Sequence, residues 1–392
     1  MSTIAPFARS EFDRRLDRAR REMRRARLDA LLVTAIPVFR YFTGYHPIIG
    51  ESPTRPWFFI LPLEAEPLAI IPAMGADDMR QASWLRNIVT WPSPRPDDEG
   101  VGLLAATLAA LPARFGRVGA EIGPETRLAM PVADFDALRA ATPGLDFVDG
   151  GAILRAVTAI LSPAELARMR HAAASVDRAF RDLPDRFRHG VTEAELHRDF
   201  QAAILRNGAD YVRYLAIGSG PGGYGSICRG PVDRAIDAGD VLALDSGSVV
   251  DGYFCDFDRN FAIGPPDDGV KRAYATLHRA VDAGIATARP GATAAAVWTA
   301  MAGVLDEAGA EAGSIGRMGH GLGMTLTAPP SIHSADRTVL AAGMALAIEP
   351  GLFYTARDGG RRLMVHEENI VLTESGNALI TRRAPGEIRV IA

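Results

Sequence analysis

Two aspartates, Asp245 and Asp256, lie eleven residues apart in V-L-A-L-D-S-G-S-V-V-D-G-Y-F-C-D-F-D-R-N-F. Paired carboxylates are what a hard, oxygen-seeking metal pair needs. The segment reads as a β-hairpin, because Asp251-Gly252 between Val250 and Tyr253 has the residue types of a two-residue type I′ turn flanked by β-branched and aromatic strands. If Val250 pairs with Tyr253, Asp256 faces Gly247, and Asp245 shares that face on the diagonal. Asp258 then falls directly opposite Asp245. Three carboxylates on one sheet face repel one another at neutral pH unless a cation or a shared proton compensates them, and a metal is the economical explanation. A surface hairpin with solvated acids is the alternative, but the apolar run V-L-A-L before Asp245 reads as a buried strand. Three further candidates stand downstream: His320 in M-G-H-G-L-G-M, Glu349 in A-L-A-I-E-P-G-L-F and Glu367 in L-M-V-H-E-E-N-I-V-L-T. Singly, each has a plain structural explanation: a histidine among glycines, a turn glutamate before Pro-Gly, and a solvated strand edge.

A scaffold must bring these residues together. From about Glu11 to Arg27 a helix leads into L-D-A-L-L-V-T, a short strand-like run. Further apolar runs follow at W-F-F-I-L-P-L, L-A-I-I-P-A and R-V-G-A-E-I-G, with helices near residues 75–87, 100–114 and 130–141. This reads as an α/β domain over residues 1–158, with the junction inside Leu154–Ser162 and a second domain over 159–392. Ser162-Pro163-Ala164-Glu165 is a helix start, with a capping serine, a proline at the first helical position and an acid at the third. That helix runs to about Phe187, and another runs from Thr192 to Asn207. The glycine-rich G-S-G-P-G-G-Y-G, the hairpin, a helical pair over 268–287 and 293–309, and strands at 344–349 and 363–372 follow. The order predicts an α+β domain whose helices cover one side of a curved sheet.

Composition bounds the function class. With 392 residues and 48% apolar content, the chain can build a core for each of two ordinary domains. Net charge is −4 with both signs interspersed, which predicts no nucleic-acid partner and no polybasic membrane patch. The arginine-rich start places Phe12, Leu16, Ala19 and Met23 at helical spacing, an amphipathic helix with a solvated basic face. Two cysteines, Cys228 and Cys255, are too few for a disulfide framework and suit a reducing cytoplasm. The start lacks an apolar signal region, and no apolar stretch approaches the ~18 residues of a membrane span. A soluble cytoplasmic protein is expected.

In their order, and with their flanking glycines and prolines, Asp245, Asp256, His320, Glu349 and Glu367 resemble the ligand motifs of the pita-bread metallopeptidase family, which includes methionine aminopeptidase, aminopeptidase P, prolidase and, as a relative, creatinase. The resemblance covers about residues 163–380, and the preceding domain looks like the N-terminal domain of the creatinase, prolidase and aminopeptidase P branch. It implies an α+β fold: a C-terminal pita-bread domain preceded by a smaller α/β creatinase-type domain. It also implies that Asp245 binds one of two divalent ions, His320 with Glu349 the other, and that Asp256 and Glu367 bridge them. Such a set of hard oxygens and one imidazole suits manganese first, with cobalt, iron or zinc as alternatives. The implied activity is Xaa-Pro dipeptidase or aminopeptidase-like: a metal-bound hydroxide attacks an amide of a short peptide, with His320 and Glu349 as catalytic residues and Glu349 as the base. A homodimer is expected from the branch.

The chain departs from the peptidase pattern. Thr327 stands seven residues after His320, where peptidase members carry a second histidine, and Cys228 stands seventeen before Asp245, where a further one is usual. Threonine cannot carry positive charge, which weakens oxyanion stabilisation of the usual type. His333 is a candidate replacement, while strand alternation turns His366 away from the face of Glu367 and assigns it a structural role. Asp258 occupies a usual threonine position and is a candidate to enlarge the metal shell or bind a cationic substrate. In the first domain, His46, Arg55 and Trp57 are candidate substrate contacts, against a reading in which Trp57 opens a core strand and Arg55 is solvated. The altered positions keep open a specialised non-peptide C–N hydrolase or lyase of the creatinase, ectoine hydrolase or dimethylsulfoniopropionate lyase type. A non-catalytic binding protein on the same fold is the third reading, and the five ligand positions argue against it.

Overall fold

Phe12, Leu16, Ala19 and Met23 are buried along one side of the first helix in the computed structural model, which describes residues 4–310 and 316–391. The chain divides into two units, Ala5–Thr158 and the residues from Ala159 onward with Ile4. The first contains α1 (Arg9–Ala26), β1 (Ala30–Val33), α2 (Ile36–Thr43), β2 (Phe58–Pro62), β3 (Leu68–Pro72), α3 (Ala76–Ala82), β4 (Ile88–Trp91), α4 (Val101–Ala109), β5 (Arg117–Ala120), α5 (Val132–Ala141), β6 (Asp146–Asp149) and α6 (Gly151–Thr158). Its mixed sheet has the order β4-β3-β2-β1-β5-β6. Strands β1, β2 and β3 are buried at every position, as unbroken apolar runs require. The four-residue β4 and β6 show no period of their own and are strands because each pairs in parallel with an apolar neighbour, β3 and β5. Helix α6 takes up Leu154–Thr158, part of the expected junction, because Ile153, Leu154 and Val157 form a buried stripe.

Asp29, at the entry to β1, organises this unit. Its Oδ1 accepts N–H bonds from Arg114 and Phe115 at 2.9 and 3.1 Å, and its Oδ2 accepts from Phe115, Gly116 and Arg117 at 2.8, 2.7 and 3.3 Å. Burial pulls its pKa up, but these backbone donors outweigh that and hold the carboxyl below its usual range. Asp29→Asn leaves one oxygen for donors that now use two, so a loss of about 3 kcal/mol is expected, or roughly 8 °C in the melting temperature of this unit. Because the folded pKa is depressed, the contribution is present above the ordinary carboxylate pKa and is lost as pH falls through the lowered one. Denaturant melts of the two proteins should therefore differ at pH 7 and converge in acid.

The second unit contains α7 (Pro163–Arg186), α8 (Glu193–Arg206), β7 (Tyr211–Pro221), β8 (Asp240–Val250), β9 (Tyr253–Ile263), α9 (Asp268–Thr287), α10 (Ala294–Glu307), β10 (Gly319–Leu322), β11 (Ala328–Ser331), β12 (Ala345–Ile348), β13 (Gly351–Thr355), β14 (Arg361–Val365), β15 (Glu368–Thr373), β16 (Gly376–Leu379) and β17 (Arg389–Ile391). Helices α7 and α8 start on reciprocal capping boxes built on Ser162 with Glu165 and Thr192 with Glu195. The strands form sheets of order β17-β9-β8-β7 and β11-β10-β12-β15-β16, with a separate β13-β14 ribbon. Alternation along β8 divides two cores: Leu242 and Leu244 pack with Phe180, Leu196 and Phe200 of α7 and α8, whereas Val241 and Ala243 pack with residues of α9 and α10. Helices thus flank two cores, not one side of a single sheet.

The expected strand at 363–372 is two strands in different sheets, broken at His366-Glu367. The Glu367 N–H donates to Asp258 Oδ1 at 2.7 Å and its carbonyl accepts from Arg259 Nη1 at 2.9 Å. Side chains from β9 have taken the backbone groups that a continuous ladder would use.

Candidate active site

The β8–β9 hairpin turns at Asp251-Gly252 with φ of 51° and 89°, the doubly left-handed turn that matches strand twist. Helix α7 holds it: Arg168 Nε lies 2.6 Å from Asp251 Oδ2, and the Tyr253 hydroxyl donates to Glu165 Oε1 at 2.8 Å. Asp245 pairs with Asp258 and Gly247 with Asp256, so the three acids share one face. This face lies opposite Leu242, Leu244, Cys255 and Phe257, which are committed to the core under α7 and α8.

Three more candidates converge from the second sheet, whose β10 and β15 pack near β9. His320 pairs with Ala347, and Ala347 with Asn369. Glu349 is two residues beyond Ala347 and Glu367 two residues before Asn369, so alternation puts His320, Glu349 and Glu367 on one face. Asn369 locks that face to the hairpin: its Oδ1 accepts from the Asp256 N–H at 2.9 Å and its Nδ2 donates to the Asp256 carbonyl. Asp256, His320 and Glu367 offer ligand atoms within 4.8 Å of one another. His320 Nδ1 donates to the Gly321 carbonyl at 2.9 Å, leaving Nε2 at 3.5 Å from both Asp256 Oδ2 and Glu349 Oε1.

Tyr214 joins Asp245 to Asp256, and sequence reasoning missed it. Its hydroxyl lies 2.8 Å from Asp245 Oδ1 and also contacts Asp256 Oδ1. Tyr214 pairs with Gly247, and a side chain on Gly247 would collide with the phenol ring. A glycine inside a strand between two acids was the available signal for a close approach. Tyr214→Phe is expected to weaken divalent-metal affinity or kcat/KM about 10-fold. The retained ring should keep the melting temperature of the metal-free protein within roughly 2 °C of the parent, which metal titration and calorimetry on both proteins would test.

Burial dominates the electrostatics. It pushes the Asp245 carboxyl up to about 8, with the Asp256 charge adding to the shift and the Tyr214 hydrogen bond opposing it. Burial lifts Asp256 to about 7 against the Tyr214 hydrogen bond, and Glu349 to about 7 against the attraction of His320. Glu367 is driven well above its ordinary value by burial and then by Asp256 and Glu349. His320 is lowered, first by burial. The buried Glu367 Oε1 has no hydrogen-bond partner among the described residues. An orphaned carboxylate oxygen within a knot of buried acids and one imidazole with a free nitrogen fits a hard divalent cation.

The other expected positions go elsewhere. Asp258 is 2% exposed and spends both oxygens internally, on the Glu367 N–H and on Asn260 Nδ2 at 2.9 Å, so it shapes the backbone at Glu367 and presents no oxygen to a cationic substrate. Cys228 is exposed, and its neighbour Arg229 forms a paired bridge to Glu193 with both N–O distances at 2.7 Å. Thr327 is exposed, with its carbonyl accepting from the Thr325 hydroxyl. His333 is exposed too: its Nδ1 accepts from the Ala335 N–H at 3.2 Å and its ring sits 6.5 Å from that of Trp298. His366 Nε2 accepts from Arg383 Nη1 at 2.8 Å, and burial and then the charges of Arg259 and Arg383 keep the imidazole neutral. In the first unit, His46 is exposed and Arg55 half-buried, while Trp57, at 1% exposure, belongs to that unit's core beside Phe39 and Tyr45.

Fold and site together define a two-domain metal-dependent hydrolase. The chain belongs to metallopeptidase family M24, which matches residues 167–374, and residues 15–160 match the creatinase/prolidase N-terminal domain. It is 30% identical over 389 residues to the probable dipeptidase PepE of Mycobacterium bovis, covering 98% of each chain. It is 26% identical to the Xaa-Pro dipeptidase of Lactobacillus delbrueckii subsp. lactis, covering 92% of this chain and 95% of that one. The crystal structure of dipeptidase PepE from Mycobacterium ulcerans superposes with a TM-score of 0.84 at 29% identity, covering 99% of this chain and 100% of that one. No helix among the described residues is long and apolar enough to cross a membrane.

Proposed function

We propose that the chain is a dinuclear metal-dependent dipeptidase of the Xaa-Pro type, hydrolysing the amide of short peptides. Asp245 would hold one ion, His320 and Glu349 the other, with Asp256 and Glu367 between them. The observation that carries this is the convergence of Asp256, His320 and Glu367 within 4.8 Å in a chain of the M24 family. When bound, divalent ions supply Lewis acidity toward a carbonyl and acidify a water. The residues supply the rest. Glu349, with a side chain 22% exposed at the open edge of the cluster, is placed to take a proton and return it to a leaving amine. The Asn369 clamp and the Tyr214 hydroxyl hold the carboxylates against their mutual repulsion.

A second reading, a specialised amide or other C–N hydrolase on the same site, is favoured by one observation. Thr327 and Cys228 are exposed, and the described acid cluster contains the single imidazole His320. Elemental analysis joined to a manganese-, cobalt- or zinc-reconstituted screen of Xaa-Pro and other dipeptides, tripeptides and small amides separates the two. Release of an amino acid from dipeptides supports the first, and turnover confined to non-peptide amides supports the second. A protein without bound metal and without affinity for one would refute both.

A further inference from the structure

The first unit carries a recess that the candidate active site does not use. About 370 Å³ in volume, it is lined by Arg24, Arg27, Leu63, Glu64, Arg114 and Phe115. All six belong to the unit Ala5–Thr158, whereas the five candidate metal ligands belong to the other. Asp29 fixes its walls. The carboxylate of Asp29 accepts from the Arg114 and Phe115 N–H groups, and its backbone carbonyl accepts from the Leu63 N–H at 2.8 Å. Arg20 ties the turn after β2 to α1 by donating to the Pro62 and Ala65 carbonyls at 3.2 and 2.6 Å. The recess is therefore preformed, and its volume falls in the range of small-molecule sites, roughly 300–1,000 Å³.

Three guanidiniums face one carboxylate in this lining, and the carboxylate neutralises little. Arg24 Nη2 is 3.8 Å from Glu64 Oε1, with the two side chains 54% and 65% exposed. Neither Arg27 nor Arg114 has a carboxylate partner among the described residues, and Arg114 lies 5.2 Å from the centroid of the Phe115 ring. Arg27 is held in place at a conformational cost: it follows the last residue of α1 with φ of 55° and ψ of 56°, the left-handed cap where glycine is the usual residue. Carbonyls at this helix end would repel an anion, but they are covered. The Met23 carbonyl accepts from the Leu28 N–H at 3.0 Å, that of Arg24 from the Arg27 N–H at 3.3 Å, and that of Ala26 from Arg117 Nη1 at 2.9 Å. Leu63, buried, and Phe115, half-buried, give the recess an apolar wall. We infer that the recess binds a small phosphate monoester, its phosphoryl group held by Arg24, Arg27 and Arg114 and its apolar body against Leu63 and Phe115. Guanidinium forks match phosphoryl oxygens in pairs, and a dianion balances the surplus of positive charge where a monocarboxylate leaves part of it unmet.

Calorimetric titration of the full chain with phenyl phosphate, inorganic phosphate and benzoate tests this. Phosphate can also reach a bound metal, so each titration is run on metal-loaded and on chelator-treated protein. Phenyl phosphate should bind both forms with the same affinity, about tenfold or more tighter than benzoate, tighter than inorganic phosphate, and more weakly as salt rises. Arg27→Gly and Arg114→Gln should each weaken that binding about tenfold or more. Glycine suits the left-handed backbone at position 27, so the melting temperature of Arg27→Gly should not fall below that of the parent, and lost binding is then not lost folding. No saturable binding to the chelator-treated chain, binding that survives both substitutions, or benzoate held as tightly as phenyl phosphate would each overturn the phosphoryl site. Inorganic phosphate held as tightly as phenyl phosphate would overturn the apolar wall as part of it.

Discussion

Glu367→Gln should abolish hydrolysis while making the metal-free protein more stable. As a proposed bridging ligand, Glu367 matters more than an outer partner of a metal site, whose loss already costs 10–100-fold, so a drop in kcat/KM beyond about 100-fold is expected with loss of bound metal. Stability should move the other way. Without a cation, Glu367 is a buried acid beside Asp256 and Glu349, its Oε1 lacks a hydrogen-bond partner, and its carboxyl is driven well above the usual range. Glutamine keeps the shape and removes the charge, a change worth about 1–2 kcal/mol at the low end for relieving buried charge. The sign follows from the raised folded pKa: the folded protein keeps a proton that the unfolded chain releases, so the advantage of the variant should vanish in acid and grow as pH rises above the ordinary carboxylate range. Calorimetric melts of the two chelator-treated proteins across pH decide this. A metal-free variant that melts below the parent at pH 8, or that retains metal, would refute the reading of Glu367.

Metal affinity should climb steeply between pH 6 and 8. In the metal-free protein, Asp245 is raised to about 8 and Asp256 and Glu349 to about 7, so at pH 6 these groups hold protons that a cation must displace. Each displaced proton contributes about a tenfold gain in apparent affinity per pH unit, and the gain should flatten above pH 8.5, where the carboxylates are already ionised. Titration calorimetry in buffers of different ionisation enthalpy counts the protons released. At 100 times the dissociation constant, the metal should add about 2.7 kcal/mol, or roughly 5–10 °C in melting temperature. Proton-free binding at pH 6.5 would contradict a buried acid cluster as the receptor.

Both effects depend on residues that local pattern made visible to different degrees. The hairpin register was legible because Asp251-Gly252 dictates a tight turn and side chains alternate with period two, and the observed pairing of Asp245 with Asp258 follows. Helices α7 and α8 were legible from their start signals at Ser162 and Thr192 and from their apolar faces. Tyr214 and Asn369 were not, since their partners lie 31 and 113 positions away along the chain. No local period encodes such a contact.

By itself, then, the sequence named five candidate ligands through their resemblance to a family's motifs, and it determined the turn that aligns two of them and the two-domain order, because these rest on patterns within short stretches of chain. Tertiary structure alone decided what those ligands face. It broke the strand at Glu367 by handing its backbone groups to Asp258 and Arg259, and it placed a phenol between two aspartates. The physical reason is that buried polar groups must be satisfied by whatever the packing brings within about 3 Å, and packing joins segments that the chain keeps far apart.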